Sequence, residues 1–307
     1  DNVTSMAISP NDRFIAYSIN KSVSNNQAQL KIIELENGEE FKSINLDKIS
    51  SDVLAFTPDG KYIIYESDKE KIKSLNIQNI YNLKDLRKIN IKEHLKSLVI
   101  FPNGNLITTT FIKDKDIFTD LYDYSSGKRL NTIKVSNPAF DVFMKYNSQN
   151  NKLYISYIGG ETLKVLKPDT FREFNSVKIP PLGYFDFNSD GNLITTLYGD
   201  LNVFDKQFKI VKTIPKASYI KENPGFYAGT KIIFIPHTKY FVQNIMYALY
   251  KNTSIMLMSS ENYSLKNKIL LEGKMTHLEF TKDGKYLVTS GDNDVDKNVI
   301  TLFKVRD

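Results

Sequence analysis

The string "FTPDGKYIIYES", residues 56–67, holds a strand end, a tight turn and the start of a second strand, and it returns as "FTKDGKYLVTSG" at 280–291. Turn chemistry explains why this string is reused. In Thr57-Pro58-Asp59-Gly60 the proline presets φ at the second turn position, the aspartate tolerates the third, and the glycine accepts positive φ at the fourth. On either side, "LAF" (54–56) and "YIIY" (62–65) are β-branched or aromatic runs. Such runs are too short for helices and too apolar for exposed strands. They are expected to be inner strands, buried on both faces.

Worn copies of the string fill the chain. Aligned on the apolar residue that opens one strand and the large apolar residue that opens the next, they are "MAISPNDRF" (6–14), "LAFTPDGKY" (54–62), "LVIFPNGNL" (98–106), "FDFNSDGNL" (185–193), "IIFIPHTKY" (232–240) and "LEFTKDGKY" (278–286). A seventh, "FMKYNSQNNKL" (143–153), carries two extra residues in its turn. The second-strand openers at 14, 62, 106, 153, 193, 240 and 286 are spaced by 48, 44, 47, 40, 47 and 46 residues. Repetition on this scale marks an array of similar units.

After each pair comes a third apolar strand, at 30–35, 72–77, 118–124, 162–166, 201–205, 254–258 and 299–305. Six copies continue to a more alternating fourth, at 40–46, 87–92, 129–135, 174–179, 210–214 and 267–272. Seven units of about 44 residues, each a four-stranded antiparallel sheet, predict an all-β, seven-bladed β-propeller. No cut leaves both parts with covered end blades, so residues 1–307 are expected to form one domain. Blade seven stops at Asp307 without a fourth strand, so it is either three-stranded or completed by residues outside this chain. An insertion loop of about 215–230, "PKASYIKENPGFYAGT", separates blades five and six and exceeds the usual connection length.

Composition bounds the function classes. No stretch of about 18 apolar residues could span a bilayer, so no membrane span is expected. The chain starts at Asp1 with no basic-then-apolar leader. Cysteine is absent, which excludes disulfides, thiolate catalysis and cysteine-ligated metal centres, and suits a periplasmic or secreted location where a stray thiol would mispair. The net charge of +6 comes from lysines scattered along the chain. A nucleic-acid groove needs clustered Lys/Arg with stacking aromatics, so nucleic acid is not an expected partner.

The "PDGKY" turns at this period resemble the WD40-like repeats of bacterial propellers over essentially the whole chain. The tetrad of true WD40 blades is missing. There is no Trp, third strands end as "IEL", "LNI", "LYDY" or "VFD", and the nearest match to the Gly-His pair is Gly273-Lys274. In size and composition the chain is similar to small periplasmic accessory propellers encoded beside respiratory reductases in AT-rich bacteria. That resemblance implies a scaffold that binds a protein partner.

Candidate site residues follow from the repeat frame. The residues leading into the inner strands, including Asp52, Ser97, Asp141, Tyr184 and His277, are expected to converge around one mouth of an axial channel, where propeller ligands bind. His237 takes the turn slot of Asp59 and Asp283, and His94 lies in the connection into blade three. Tyr219, Phe226 and Tyr227 of the insertion loop are either interface anchors or a cover folded over a blade edge. Asp292, Asp294 and Asp296 alternate as in the first half of a calcium loop, but Lys297 stands where glycine is needed and no bidentate Glu follows. A Ca2+ site and a solvated hairpin both remain readings of that stretch; no other cofactor is expected.

No Ser/His/Asp order or His-Glu-x-x-His string appears. The first expectation for function is therefore a non-catalytic propeller that presents a face to a protein partner. A metal-dependent propeller hydrolase or lactonase using Asp52, Asp141, Asp186 and His277 is the alternative, with small-molecule or glycan binding as a third reading.

Overall fold

The repeated turn is where the sequence governs the backbone most directly. In the first, second and seventh repeats a Ser or Thr hydroxyl pairs with the Asn or Asp two residues on (Ser9 with Asn11 at 2.7 Å, Thr57 with Asp59 at 2.6 Å, Thr281 with Asp283 at 2.8 Å). The same hydroxyl accepts the main-chain N–H of the second-strand opener, Phe14, Tyr62 or Tyr286. The residue two before the opener takes positive φ, being Asp12 in the first repeat, Gly60 in the second, Asn151 in the fourth, Gly191 in the fifth and Gly284 in the seventh. The sixth repeat differs. His237 carries the positive φ of 61°, and Thr238 N–H bonds Ile235 O at 3.3 Å, so the positive-φ position has moved one residue back. This has the φ pattern of a type II turn, which needs positive φ at its third position.

The computed structural model describes residues 2–22, 27–46, 49–69, 72–102, 106–114, 116–136, 142–157, 160–179, 183–197, 200–215, 227–228, 231–247, 252–292 and 299–305. Among the described residues there are 28 strands and no helix, hence no helix long and apolar enough to cross a membrane. The strands form seven antiparallel sheets, at 2–46, 49–90, 95–136, 142–178, 185–214, 227–272 and 274–304. The architecture is a seven-bladed, all-β propeller. Second strands begin at Phe14, Tyr62, Leu106, Lys152, Leu193, Tyr240 and Tyr286, which departs from the sequence frame only by one residue in the fourth repeat.

Two sheets depart from four strands. The seventh has three: Lys274–Phe280, Tyr286–Asp292 and Val299–Lys304. The sixth has five, because Tyr227–Ala228 pairs with Met246 and Tyr247 on the same strand that Ile232–Phe234 pairs with further along. Tyr227 is thus a strand residue, a correction to the expectation of a loop aromatic; Tyr219 and Phe226 lie outside the described residues.

The chain divides into two compact units, Asp1–Tyr146 with Pro168–Arg172, and Asn147–Lys167 with Glu173–Asp307. Within the first, one core joins sheets one and two through Phe14, Leu30, Ile32 and Ile63, and another joins sheets two and three through Ile64, Leu75, Ile107 and Tyr122. Ile63 and Ile64, adjacent in "YIIY" and both wholly buried, thus face different neighbours. This is why the inner strands read as continuous apolar runs. Burial on this scale stabilises by about 1.5–3 kcal/mol per large apolar side chain. In the second unit Phe241 packs toward sheet five while Val242 packs toward sheet seven. Neighbouring turns lie close: Gln149 Nε2 donates to the Ser189 carbonyl at 2.9 Å, and a Cβ added at Gly60 would reach Pro10 and Asn11, one at Gly284 the Pro236 carbonyl.

Candidate functional site

Counting back nine residues from the second-strand openers 193, 240 and 286 gives Tyr184, Lys231 and His277, one slot in three consecutive repeats of the second unit. The fold brings these three together. The Lys231 ammonium lies over the Tyr184 ring, 5.7 Å from its centroid, and reaches the Thr276 carbonyl at 3.4 Å. Main-chain bonds fix the slots. Tyr184 O accepts Thr196 N–H at 2.9 Å, Lys231 O accepts Asn244 N–H at 3.1 Å, and Lys231 N–H donates back to the Asn244 side-chain oxygen.

His277 owes its placement to an irregularity. The pairing of the first and second strands of sheet seven shifts between Met275 and His277, leaving Thr276 as a bulge. On a regular strand adjacent side chains point to opposite faces, but a bulge re-aims one of them. Here His277 Nδ1 lies 3.0 Å from Thr276 Oγ1 and 3.1 Å from Ser290 Oγ. The first repeat has the same bulge and the same hydroxyl pair, Thr4 with Ser18 at 2.7 Å, with Ser5 in the histidine's slot. The hydroxyl pair therefore belongs to the scaffold, and His277 is an addition to it.

Burial, and after it the Lys231 charge, push the His277 pKa from 6.5 down to about 3. The ring is neutral at pH 7. A group with so acidic a conjugate acid is a poor general base near neutrality, since proton transfer works best when the pKa sits near the working pH. What the cluster offers instead is a cation set on an aromatic face beside a neutral imidazole and two hydroxyls. This combination suits recognition of an anionic oxygen group through hydrogen bonds and charge.

The other sequence candidates are described within their own sheets. Asp186, proposed as a metal ligand, is buried and accepts main-chain N–H groups from Phe187 at 2.7 Å and Phe234 at 3.0 Å, so it ties sheet five to sheet six. Ser97 pairs with Thr110 inside sheet three, and Asp52 lies within the strand Ile49–Phe56. Asp141, Asp294 and Asp296 are outside the described residues, while Asp292 ends the strand Tyr286–Asp292 opposite Lys274. Among the described residues no three His, Asp or Glu side chains cluster as metal ligands would.

His94 has a partner the sequence did not suggest. Its Nδ1 is 2.6 Å from Oε1 of Glu66, a wholly buried carboxylate whose Oε2 accepts Leu95 N–H at 2.9 Å. Lys231 was likewise missed, although the slot alignment that yields Tyr184 and His277 points to it. The sequence matches no family model, and no curated protein sequence matches it significantly.

Proposed function

We propose that the chain is a non-catalytic binding module whose Tyr184–Lys231–His277 cluster docks an acidic segment of a protein partner. The observation that carries this reading is the meeting of one slot from three consecutive repeats around a single ammonium group. A lysine laid across an aromatic ring keeps its charge and loses rotamer freedom, which lowers the entropic cost of binding a carboxylate. The neutral His277 adds hydrogen-bonding capacity without adding a second cation.

The absence of cysteine from all 307 residues supports a site of action outside the cytoplasm. The Pro-Asp-Gly turn at 58–60 and the Asp-Gly turns at 190–191 and 283–284 support kinship with bacterial WD40-like propellers. On this reading the protein is an accessory scaffold of the kind that accompanies respiratory reductases.

Isolation of tagged protein from its native host at low salt tests the proposal. A stoichiometric partner is expected with the wild type and is expected to be lost with Lys231→Glu at unchanged melting temperature. Recovery of the wild type as a lone species, or retention of the partner by Lys231→Glu, overturns it.

A further inference from the structure

A cavity of about 640 Å³ opens within the first unit, between the outer strand of sheet two and one face of sheet three. Its volume falls in the range of pockets for small organic ligands. Its floor holds a carboxylate. Asp120 is only 4% exposed and accepts hydrogen bonds from the Tyr122 hydroxyl at 2.9 Å and from the Thr132 hydroxyl. Its cationic neighbour, Arg129, stands 3.7 Å away with its side chain 60% exposed. At that distance the pair makes no hydrogen bond, so the buried charge is compensated by neutral hydroxyls and a solvated guanidinium.

Beside Asp120 on the same face, Phe111 and Phe118 lie nearly parallel, with centroids 5.6 Å apart and planes 16° from each other. The cross-strand partner of Asp120, Thr109, has a buried hydroxyl with no hydrogen-bond partner among the described residues. The lining also includes Lys92 and Lys113, both exposed, and the partly buried carboxylate Glu93 beside Lys92. The cavity therefore holds a buried anion, a pair of aromatic rings beside it, and the exposed cations Lys92 and Lys113, which outnumber the one further carboxylate, Glu93.

We infer that this cavity binds a dipolar alkyl chain with an ammonium at one end and a carboxylate at the other. The ammonium donates to Asp120, supplying the charged hydrogen bond that Arg129 at 3.7 Å does not make, and lies beside the two phenylalanine rings. The methylenes lie along those rings, and the carboxylate meets Lys92 and Lys113. A free ω-amino acid and a carboxyl-terminal lysine share this chemistry, because both separate the two charges by five carbons. This site is independent of the Tyr184–Lys231–His277 cluster.

Calorimetric titration with ε-aminocaproate, hexylamine, caproate and Nα-acetyl-lysine tests the inference on the full chain. ε-Aminocaproate is expected to bind more tightly than hexylamine or caproate. Nα-acetyl-lysine binding as tightly assigns the carboxyl-terminal lysine as the source, and its exclusion assigns the free amino acid. Asp120→Asn, of the same shape, is expected to weaken ε-aminocaproate by about 10- to 100-fold, the loss of one charge-assisted hydrogen bond. Lys113→Glu changes an exposed side chain, so its fold is secure; it is expected to weaken ε-aminocaproate without weakening hexylamine. No binding of ε-aminocaproate, equal binding of the three simple probes, or wild-type affinity in Lys113→Glu and a folded Asp120→Asn overturns the inference.

Discussion

The ammonium of Lys231 sits 5.7 Å from the centre of the Tyr184 ring, and its charge is the second cause, after burial, of the lowered pKa of His277. Lys231 thus links the other two slots, lying over the ring of one and lowering the pKa of the other. An unfolded histidine takes up its proton near pH 6.5, whereas His277 stays neutral in the folded chain down to about 3. Between those values the unfolded chain binds the extra proton, so this group's contribution to stability is full above pH 6.5 and is lost as the pH falls through the window. The slope is at most ~1.4 kcal/mol per pH unit, less where water reaches the half-buried ring. His277→Gln is expected to remove this part of the acid sensitivity, measured as urea midpoints at neutral pH and near pH 4.5. Lys231→Met is expected to raise the His277 titration point, followed by NMR, yet leave it below 6.5 because burial remains.

Asp186 carries a second prediction. Its carboxylate, buried in sheet five, accepts N–H groups from Phe187 and Phe234, the latter in sheet six. Removing it leaves a main-chain donor of the neighbouring sheet without this acceptor, a loss of about 2–4 kcal/mol. Asp186→Ala is expected to lower the urea midpoint accordingly. Asp186→Asn keeps one acceptor oxygen and is expected to fall between the two. A metal-ligand role predicts the opposite, since relieving a carboxylate held for an absent ion leaves stability unchanged or raised.

What the sequence made legible is set by how local the physics is. Thr57, Asp59 and Gly60 make their hydrogen bonds and positive φ within six residues, so the turn, and with it the start of each second strand, could be read from the string. "YIIY" declared burial on both faces because Ile63 and Ile64 each meet a different sheet. Lys231 was illegible for the opposite reason. Its role depends on a ring 47 positions earlier and a carbonyl 45 positions later, and alone it is one lysine among many. The bulge at Thr276 leaves no mark in residue type, although it decides where His277 points. Tyr227 read as a loop aromatic because its strand is two residues long, too short to show alternation.

Sheet three makes a prediction in the stabilising direction. Thr110 and Thr119 pair across neighbouring strands, both wholly buried, and neither hydroxyl has a hydrogen-bond partner among the described residues. A buried hydroxyl without a partner costs more than the methyl that would replace it. Valine keeps the β-branch and the strand preference. Thr119→Val is therefore expected to raise stability by about 1 kcal/mol in urea unfolding. A loss of similar size would mean that the hydroxyl is bonded.

Two glycines separate backbone strain from packing. Gly38 and Gly284 have nearly the same positive φ, 74° and 73°. A side chain at Gly38 would meet nothing within 4 Å, whereas a Cβ at Gly284 would come 2.8 Å from the Pro236 carbonyl oxygen in the turn of the preceding repeat. Alanine at positive φ costs about 1–2 kcal/mol by itself, and Gly38→Ala is expected to show that cost and no more. Gly284→Ala adds a contact with backbone that cannot swing aside, so an additional loss of about 1–3 kcal/mol is expected. The surplus arises between two turns, so Pro236→Gly, which frees that turn to shift, is expected to reduce it in a double-mutant cycle. Equal losses at the two glycines would show that the turns of sheets six and seven do not pack as described.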